Sequence, residues 1–305
     1  MVGLIKERVQ LNLNIVKSVD SNIKERSMHA TALEGEMRQL DIFQESSAHQ
    51  FDSSLYNHYP SKNIFGKSVI IVGPGEHFGL HLARKFSEEG FTVGLIARSE
   101  KNLSLIVSSL RSLGIYVHYA CADVRDVDQL QIAFSSLLQN LPQLQCLIYN
   151  VKYSFKGSGL SLSSTKLTES FDINVSGAIS TIQIALPILT STKKSTHKSS
   201  ITPTIILTGG GYKDNPHENK LSLSIGKTGI HTVFTTLRRL LSSRGITLKT
   251  LVIDGMVREY GNCLHSEDVA EEFWKVFTSP PNKHYFRCPE RLNREIVPGQ
   301  LRLPI

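Results

Sequence analysis

The chain has 305 residues, of which 40% are hydrophobic and 20% are charged, a composition typical of a globular protein with one large domain or two small ones. No uninterrupted apolar stretch approaches the ~18 residues that a membrane-spanning helix needs, which argues against an integral membrane protein. The 4 cysteines lie far apart, with no Cys-x-x-Cys pair, which argues against a disulfide framework or a zinc–cysteine module. The net charge of +7 would suit a polyanion, but a phosphorylated cofactor is enough to explain it.

The first 63 residues differ from the rest and are predicted to form an N-terminal extension, helical in part and otherwise irregular. Apolar residues recur at helical spacing over residues 1–18, whereas residues 44–63 are rich in Ser, His, Asn and Asp, as linkers are. Glu7 and Asp20 argue against a mitochondrial presequence. We therefore expect a cytoplasmic protein, with organelle targeting by this segment as the alternative.

After residue 63, short apolar runs alternate with amphipathic segments almost to the end of the chain. The predicted strands cover residues 67–72, 91–97, 116–122, 145–149, 202–207, 246–253 and 285–287. The predicted helices cover residues 79–89, 100–112, 127–138, 166–189, 227–243 and 267–277. Pro187 is expected to end the long fourth helix, and Ser266 is expected to cap the last one.

Strict alternation of strands and helices predicts parallel strand pairing through crossover helices that cover both faces of the sheet. The apolar runs are nearly continuous, as expected for strands buried on both faces. Right-handed crossovers then give an α/β fold with a Rossmann-type doubly wound parallel sheet. We predict one such domain over residues 64–290, followed by a C-terminal tail over residues 291–305.

The first predicted strand leads into a glycine-rich loop, Gly73-Pro74-Gly75-Glu76-His77-Phe78-Gly79, and then into a helix. Glycines let the backbone approach a pyrophosphate, and a helix N-terminus offers unpaired N–H groups and the positive end of a dipole. A tight strand-to-helix turn with no ligand is the alternative. Its place after the first strand of a parallel sheet favours a dinucleotide, although the spacing departs from G-x-G-x-x-G.

The second predicted strand ends in Ala97-Arg98-Ser99. A carboxylate at this position would bind the ribose hydroxyls and repel a 2′-phosphate, whereas Arg98 can pair with that phosphate through two hydrogen bonds. NADP is therefore favoured as the cofactor, with NAD as the alternative, since Glu76 near the same pocket weakens the preference. The other interpretation of Arg98 is a solvated cation at a strand end.

Five further motifs follow in chain order. They are Ala122-Asp123-Val124, Tyr149-Asn150-Val151-Lys152, Ile173-Asn174-Val175-Ser176-Gly177, Lys227 at a helix start, and Ile253-Asp254-Gly255. Together with the glycine loop, their order resembles the short-chain dehydrogenase/reductase family of NAD(P)-dependent oxidoreductases over about residues 66–280. The resemblance implies that Gly73, Gly75, Gly79, Asp123 with Val124, Asn150 and Lys227 contact the cofactor. Of the family's Asn-Asn-Ala-Gly motif only Asn150 is kept.

The same resemblance implies four catalytic groups, of which this sequence keeps two. In the family a tyrosine four residues before the lysine exchanges the substrate proton, a serine polarises the carbonyl, the lysine supports the tyrosine and the nicotinamide ribose, and an asparagine holds a water. Here Asn174 and Lys227 remain, but Leu223 stands at the tyrosine position and Gly210 at the serine position. Candidates to replace the lost acid are Tyr153, Tyr212 and His217, and the serines 222 and 224 beside Leu223 are expected to point away.

These observations predict an NAD(P)(H)-dependent oxidoreductase acting on a carbonyl or alcohol, with a degenerate catalytic centre. The alternative is an inactive dinucleotide-binding protein with a regulatory or assembly role. We expect a small-molecule substrate and no membrane partner, and no nucleic acid, because the basic stretch 191–200 lacks aromatic residues for stacking. The 11 histidines show no metal-ligand spacing, so no metal is expected. The resemblance also implies a homodimer or homotetramer paired through the two long helices.

Overall fold

The computed structural model describes residues 66–75, 78–155, 157–195, 202–257, 264–280 and 283–287. The predicted extension over residues 1–63 and tail over residues 291–305 lie outside the described residues, as do Glu76 and His77 of the glycine loop.

A 7-stranded sheet forms the centre of the fold, with the strand order β3-β2-β1-β4-β5-β6-β7 and every neighbouring pair parallel. The strands are β1 Lys67–Val72, β2 Phe91–Ala97, β3 Val117–Cys121, β4 Gln143–Tyr149, β5 Thr204–Gly210, β6 Thr247–Asp254 and β7 Lys283–Arg287. The order reverses at β1, which lies between β2 and β4. This is the predicted doubly wound sheet, and the reversal creates a crevice at the carboxyl ends of β1 and β4.

Helices cover both faces of this sheet. They are α1 Phe78–Glu88, α2 Glu100–Ser112, α3 Val127–Leu138, α4 Ser164–Phe171, α5 Gly177–Ser195, α6 Leu221–Ser243 and α7 Ser266–Thr278. Helices α2 and α3 begin at the predicted residues because the side chains of Ser99 and Asp126 each accept the backbone N–H three residues later. Both helices also end at the predicted residues. The strands are buried on both sides: Ile70 and Val72 belong to one core cluster, Val69 and Ile71 to the other.

The prediction that Pro187 ends the long helix is wrong. Helix α5 continues to Ser195 with Pro187 inside it. A proline removes the hydrogen bond to the carbonyl four residues earlier; that residue is Gln183, and both residues are exposed, so water can satisfy the freed carbonyl. A π-helical segment, Asp172–Ser176, joins α4 to α5.

The combined helical stretch Ser164–Thr192 has a mean hydropathy of 1.4 over its most apolar window and is long and apolar enough to cross a membrane. Polar residues interrupt this stretch, so it contains no uninterrupted apolar run of that length. Within the fold, 56% of that window is buried, which is the pattern of a core helix packed on a sheet.

Most other strand and helix boundaries differ from the predictions by one or two residues, and β5 and α6 differ by more. Strand β5 begins after Pro203 and runs through Gly210, because Gly210 pairs with Ile253 of β6. Helix α6 begins at Leu221, six residues before the predicted start. Ser266 is the first residue of α7, and its N-cap is His265, whose backbone is extended; Ser266 is therefore too far inside the helix to cap it.

The buried side chain of Lys249 on β6 binds the C-terminal end of α7. The Lys249 ammonium on β6 donates hydrogen bonds of 2.8, 2.8 and 2.6 Å to the carbonyl oxygens of Val276, Phe277 and Ser279. A cation at a helix C-terminus is favourable because it satisfies carbonyls that have no partner in the helix. Burial lowers the pKa of Lys249.

Candidate active site

The glycine turn at the end of β1 requires glycine at each of its three positions, for different reasons. Gly73 and Gly75 have φ values of 75° and 72°, which other residues rarely adopt. A Cβ on Gly73 would lie 2.7 Å from Val151 Cγ2, and one on Gly79 would lie 2.4 Å from Pro74 Cβ. A Cβ on Gly75 would meet no atom of the described residues within 4 Å. The backbone at Gly75 is therefore open to an approaching ligand.

Asn150 ties this turn to the neighbouring strands. Its backbone N–H donates to Val72 O at 2.8 Å, and its Nδ2 donates to Gly73 O at 2.9 Å. The Thr208 hydroxyl on β5 donates to Asn150 Oδ1 at 2.9 Å. Residues predicted from separate motifs thus meet at the carboxyl ends of β1, β4 and β5, where the crevice opens.

Charged side chains surround the end of β2. The Arg98 side chain is 53% exposed, and its Nη1 lies 4.0 Å from Asp123 Oδ2. Asp123 is bound more tightly by Arg125, whose Nε and Nη2 donate to its two oxygens at 3.1 and 2.7 Å. These hydrogen bonds hold the pKa of Asp123 below its ordinary value. The guanidinium of Arg98 thus stays available to an anion.

The neighbouring predicted residue, Val124, is buried in the core. It lies 2.9 Å from the position that a Cβ on Gly177 would take. Its side chain therefore packs against the start of α5, and only its backbone can face the crevice.

Asn174 lies in the π-helical segment and is almost completely buried. Its Oδ1 accepts the Tyr153 N–H at 3.0 Å, and its Nδ2 donates to Tyr153 O and Ser170 O at 2.9 and 2.8 Å. The amide therefore fixes the backbone of the loop after β4. Helix α6 packs closely here, since a Cβ on Gly226 would lie 2.8 Å from Asn174 Cβ. Motif matching did not identify the role of Gly226, although small residues at helix contacts are a recognisable signal.

Lys227 is buried on α6, one turn after Leu223. Its Nζ donates to Thr208 O at 2.8 Å, and its Cγ, Cδ and Cε lie 3.1–3.2 Å from where a Cβ on Gly210 would be. Burial, and to a lesser extent the positive charge of Lys152, lower its pKa to about 8. The apolar side chain of Leu223 is also buried, so the tyrosine position offers no proton.

The candidate replacements for the missing acid have mostly other partners. Tyr153 donates its hydroxyl hydrogen bond to Glu169 at 3.1 Å, and His217 Nδ1 accepts the Asn219 N–H at 3.1 Å.

The two serines beside Leu223 also have partners. Ser222 Oγ accepts the Phe155 N–H at 3.0 Å, and Ser224 Oγ donates to Lys220 O at 3.0 Å. That these serines point away from the direction of Leu223 stays a prediction. Tyr212 is half-buried in a short turn directly after β5.

Comparison with known proteins finds the same family that the sequence motifs resemble. The sequence model of the short chain dehydrogenase family matches residues 67–258. An uncharacterized oxidoreductase of Mycobacterium tuberculosis is 30% identical over 128 residues, 40% of this chain and 37% of the relative. A peroxisomal 2,4-dienoyl-CoA reductase of Arabidopsis thaliana is 26% identical over 124 residues, 41% of this chain and 42% of the relative. The chain thus spans well under half the length of these two relatives.

Solved structures share the fold. An actinorhodin polyketide ketoreductase with NADPH has a TM-score of 0.66 at 16% identity, over 74% of this chain and 97% of that one. A short-chain oxidoreductase of Pseudomonas aeruginosa, described as having an atypical catalytic center, has a TM-score of 0.64 at 14% identity, over 73% and 96%. At these identities the similarity concerns the fold.

Proposed function

We propose that this chain, which belongs to the short-chain dehydrogenase family, is an NADP(H)-linked oxidoreductase that acts on a carbonyl or alcohol group. The observation that carries the proposal is the pair of features at the crevice: an open glycine backbone at Gly75 and a half-exposed guanidinium at Arg98 on the next strand. The first suits a pyrophosphate and the second suits a 2′-phosphate.

The residues around the crevice fit such a cofactor. Gly75 and the start of α1 would hold the pyrophosphate, and Arg98 would hold the 2′-phosphate. Asp123 would lie at the adenine, with its orientation fixed by Arg125. Lys227 would reach the nicotinamide ribose. Similar structures have been solved with NADPH, NADP and NAD, which supports NADP as the cofactor and keeps NAD as the alternative.

Bound NADPH would supply a hydride to the substrate carbon, and the chain must supply one proton to the substrate oxygen. The centre is degenerate by comparison with the family pattern, because Leu223 and Gly210 replace the tyrosine and the serine. A positioned acid contributes roughly 10²–10⁴-fold to the rate. Turnover therefore depends on which other group of the chain holds a proton near the carbonyl.

The test begins with calorimetric titration of the full chain with NADP and with NAD. We expect NADP to bind more tightly, and NADPH oxidation, followed by its absorbance, to appear with part of a panel of aldehydes and ketones. If neither coenzyme bound at millimolar concentration, the proposal would be wrong.

A second candidate is a dinucleotide-binding protein that controls a partner without turnover, and Leu223 at the tyrosine position is the observation that favours it. NADP binding without NADPH oxidation on any carbonyl would support this second candidate. It would also contradict the enzymatic one.

A further inference from the structure

We propose that Lys227 itself donates the proton to the substrate oxygen and that Lys152 is a positioning residue, the neighbouring cation that adjusts it for this task. The inference rests on the proposed oxidoreductase function. It assigns to one buried lysine the role that the tyrosine has elsewhere in the family.

The geometry around Gly210 supports this assignment. Because Gly210 has no side chain, the Lys227 stem passes over the place where a serine would project, with three of its carbons 3.1–3.2 Å from that Cβ position. The Lys227 ammonium ends at the carbonyl of Thr208, on the same strand. It has three N–H donors, so two are left for ligands once the Thr208 carbonyl is satisfied. The Lys227 stem and its ammonium therefore lie along the end of β5, beside the position of the lost serine.

Competing proton donors have other partners. The Tyr153 hydroxyl donates to Glu169, and His217 is exposed and caps a turn through Asn219. Tyr212, half-buried after β5, is the alternative proton donor, and the experiments below distinguish it from Lys227.

Lys152 lies on a loop whose backbone is fixed on both sides. Val151 packs against Gly73, and Tyr153 is held by Asn174 through its N–H and carbonyl. Lys152 is exposed, yet its charge is close enough to lower the pKa of Lys227. A lysine that is both desolvated and beside a second cation is easier to deprotonate.

Burial and the charge of Lys152 are the two causes that lower the pKa of Lys227. From β5 it meets the neutral Thr208 carbonyl, and the neutral Asn174 amide lies against the preceding residue, Gly226. On its own helix, Leu223 is apolar. Near this end of β5 the charged side chain of Asp254 packs on Gly211, directly after Gly210.

The proton balance of the reduction is simple. One N–H bond of the Lys227 ammonium breaks and one O–H bond forms on the substrate, so the carbonyl is reduced to an alcohol while the nicotinamide is oxidised. Lys227 is left as a neutral amine and regains a proton from water. In the oxidation direction the neutral amine accepts the alcohol proton. Since the pKa of Lys227 is about 8, both forms are accessible near neutral pH.

The first experiment measures the titration of Lys227 without any turnover. The full chain is labelled with ¹³C at the lysine ε-carbons, and the Lys227 resonance is assigned by its loss in Lys227→Arg. We expect this resonance to titrate near pH 8 in the wild-type chain, and at higher pH in Lys152→Met. The control Lys275→Met removes an exposed lysine on α7 that pairs with Glu272 and should leave the titration unchanged.

The second experiment measures NADPH oxidation against pH with a carbonyl that is turned over. Reduction needs the charged lysine, so kcat should fall as the pH rises through the pKa of Lys227, and Lys152→Met should move this fall to higher pH. Lys227→Arg keeps the charge but donates poorly because the pKa of arginine is above 12. We expect kcat of Lys227→Arg to drop at least about 100-fold, while NADP binding changes only a few-fold.

The possible outcomes separate the two proposals. If wild-type turnover survives in Lys227→Arg and disappears in Tyr212→Phe, the proton comes from Tyr212 and the inference is wrong. If Lys152→Met leaves both titrations unchanged, the role of Lys152 is wrong. If the wild-type chain turns over no carbonyl at all, the proposed function fails and this inference fails with it.

Discussion

The two halves of the crevice differ in how far they follow the family pattern. On the β1–β4 side, the glycine turn and Asn150 keep the geometry expected of a dinucleotide site, down to the hydrogen bond from Asn150 to Gly73. On the β5–α6 side, Lys227 is kept while Leu223 and Gly210 replace the hydroxyl residues. Cofactor binding and proton supply are therefore separable in this fold: the first depends on backbone shape, the second on a few side chains.

The largest expected effect is that of Gly73→Ala, which tests the geometry of the glycine turn on the β1–β4 side. The left-handed backbone costs about 1–2 kcal/mol for alanine, and the overlap with Val151 adds about 1–3 kcal/mol of overpacking. Urea denaturation of the chain without cofactor should show this combined loss of unfolding free energy. Gly75→Ala is the matched control, because its Cβ meets no atom of the described residues within 4 Å and only the backbone cost of about 1–2 kcal/mol remains. Equal losses in the two variants would contradict the close packing of Gly73.

The cofactor preference of the same half is tested by Arg98→Ala. A hydrogen-bonded charge pair contributes about 1.5–3 kcal/mol, so NADP affinity should fall roughly 10–100-fold while NAD affinity stays nearly constant. Calorimetry with both coenzymes measures the ratio. Arg111→Ala, an exposed arginine at the end of α2, is the control and should alter neither affinity. A parallel loss of both coenzymes would refute the 2′-phosphate assignment.

The second half is tested by Gly210→Ser, which restores the family's serine. The new side chain would press on the Lys227 stem, whose carbons lie 3.1–3.2 Å from the Cβ position. A displaced lysine should lower kcat by about tenfold, since small misplacements of reacting groups are costly. Gly210→Ala carries the same Cβ without the hydroxyl and should lose a similar amount. A serine variant faster than wild type would show that carbonyl polarisation outweighs lysine position.

The smallest expected effect concerns the pair of Asp123 and Arg125. The folded-state pKa of Asp123 is lowered, chiefly by the Arg125 hydrogen bonds, so the pair stabilises the fold above the unfolded-state pKa, and this contribution is lost as the pH falls through the folded-state value. Arg125 is 41% exposed, which limits the contribution at neutral pH to below about 1 kcal/mol. Thermal unfolding of Arg125→Ala and wild type should differ at neutral pH and converge in acid. A constant difference at all pH values would indicate lost packing instead.

Much of this architecture is predictable from local patterns. Helices α2 and α3 match their predicted bounds because each combines an amphipathic repeat with a capping side chain, and the apolar strands match because burial on both faces leaves a continuous run. The end of β5 does not match its predicted bound, because Thr208-Gly209-Gly210 has the composition of a turn. Pairing with β6 holds this segment extended. The start of α6 also lacks a local signal, because Lys220 makes no side-chain cap.

The candidate site divides in the same way. The positions of Gly73, Asn150, Asn174 and Lys227 follow from motif order, and Arg125 could have been found from its spacing of two residues from Asp123. The hydrogen bond from Tyr153 to Glu169 and the contact of the Lys227 stem with Gly210 join residues 16 and 17 positions apart. Such contacts arise only once the strands and helices have packed.

The hydrogen bonds from Lys249 to the end of α7 affect how this lysine reacts with chemical labels. Its amine is enclosed by three carbonyls at the end of α7, so an amine-reactive reagent can reach it only after α7 has separated from the sheet. Exposed lysines such as Lys275 should acetylate at once, whereas Lys249 should acetylate at the rate at which that part of the protein opens. The acetylation rate of the peptide that contains Lys249, followed by mass spectrometry, would therefore report the rate at which α7 separates from the sheet.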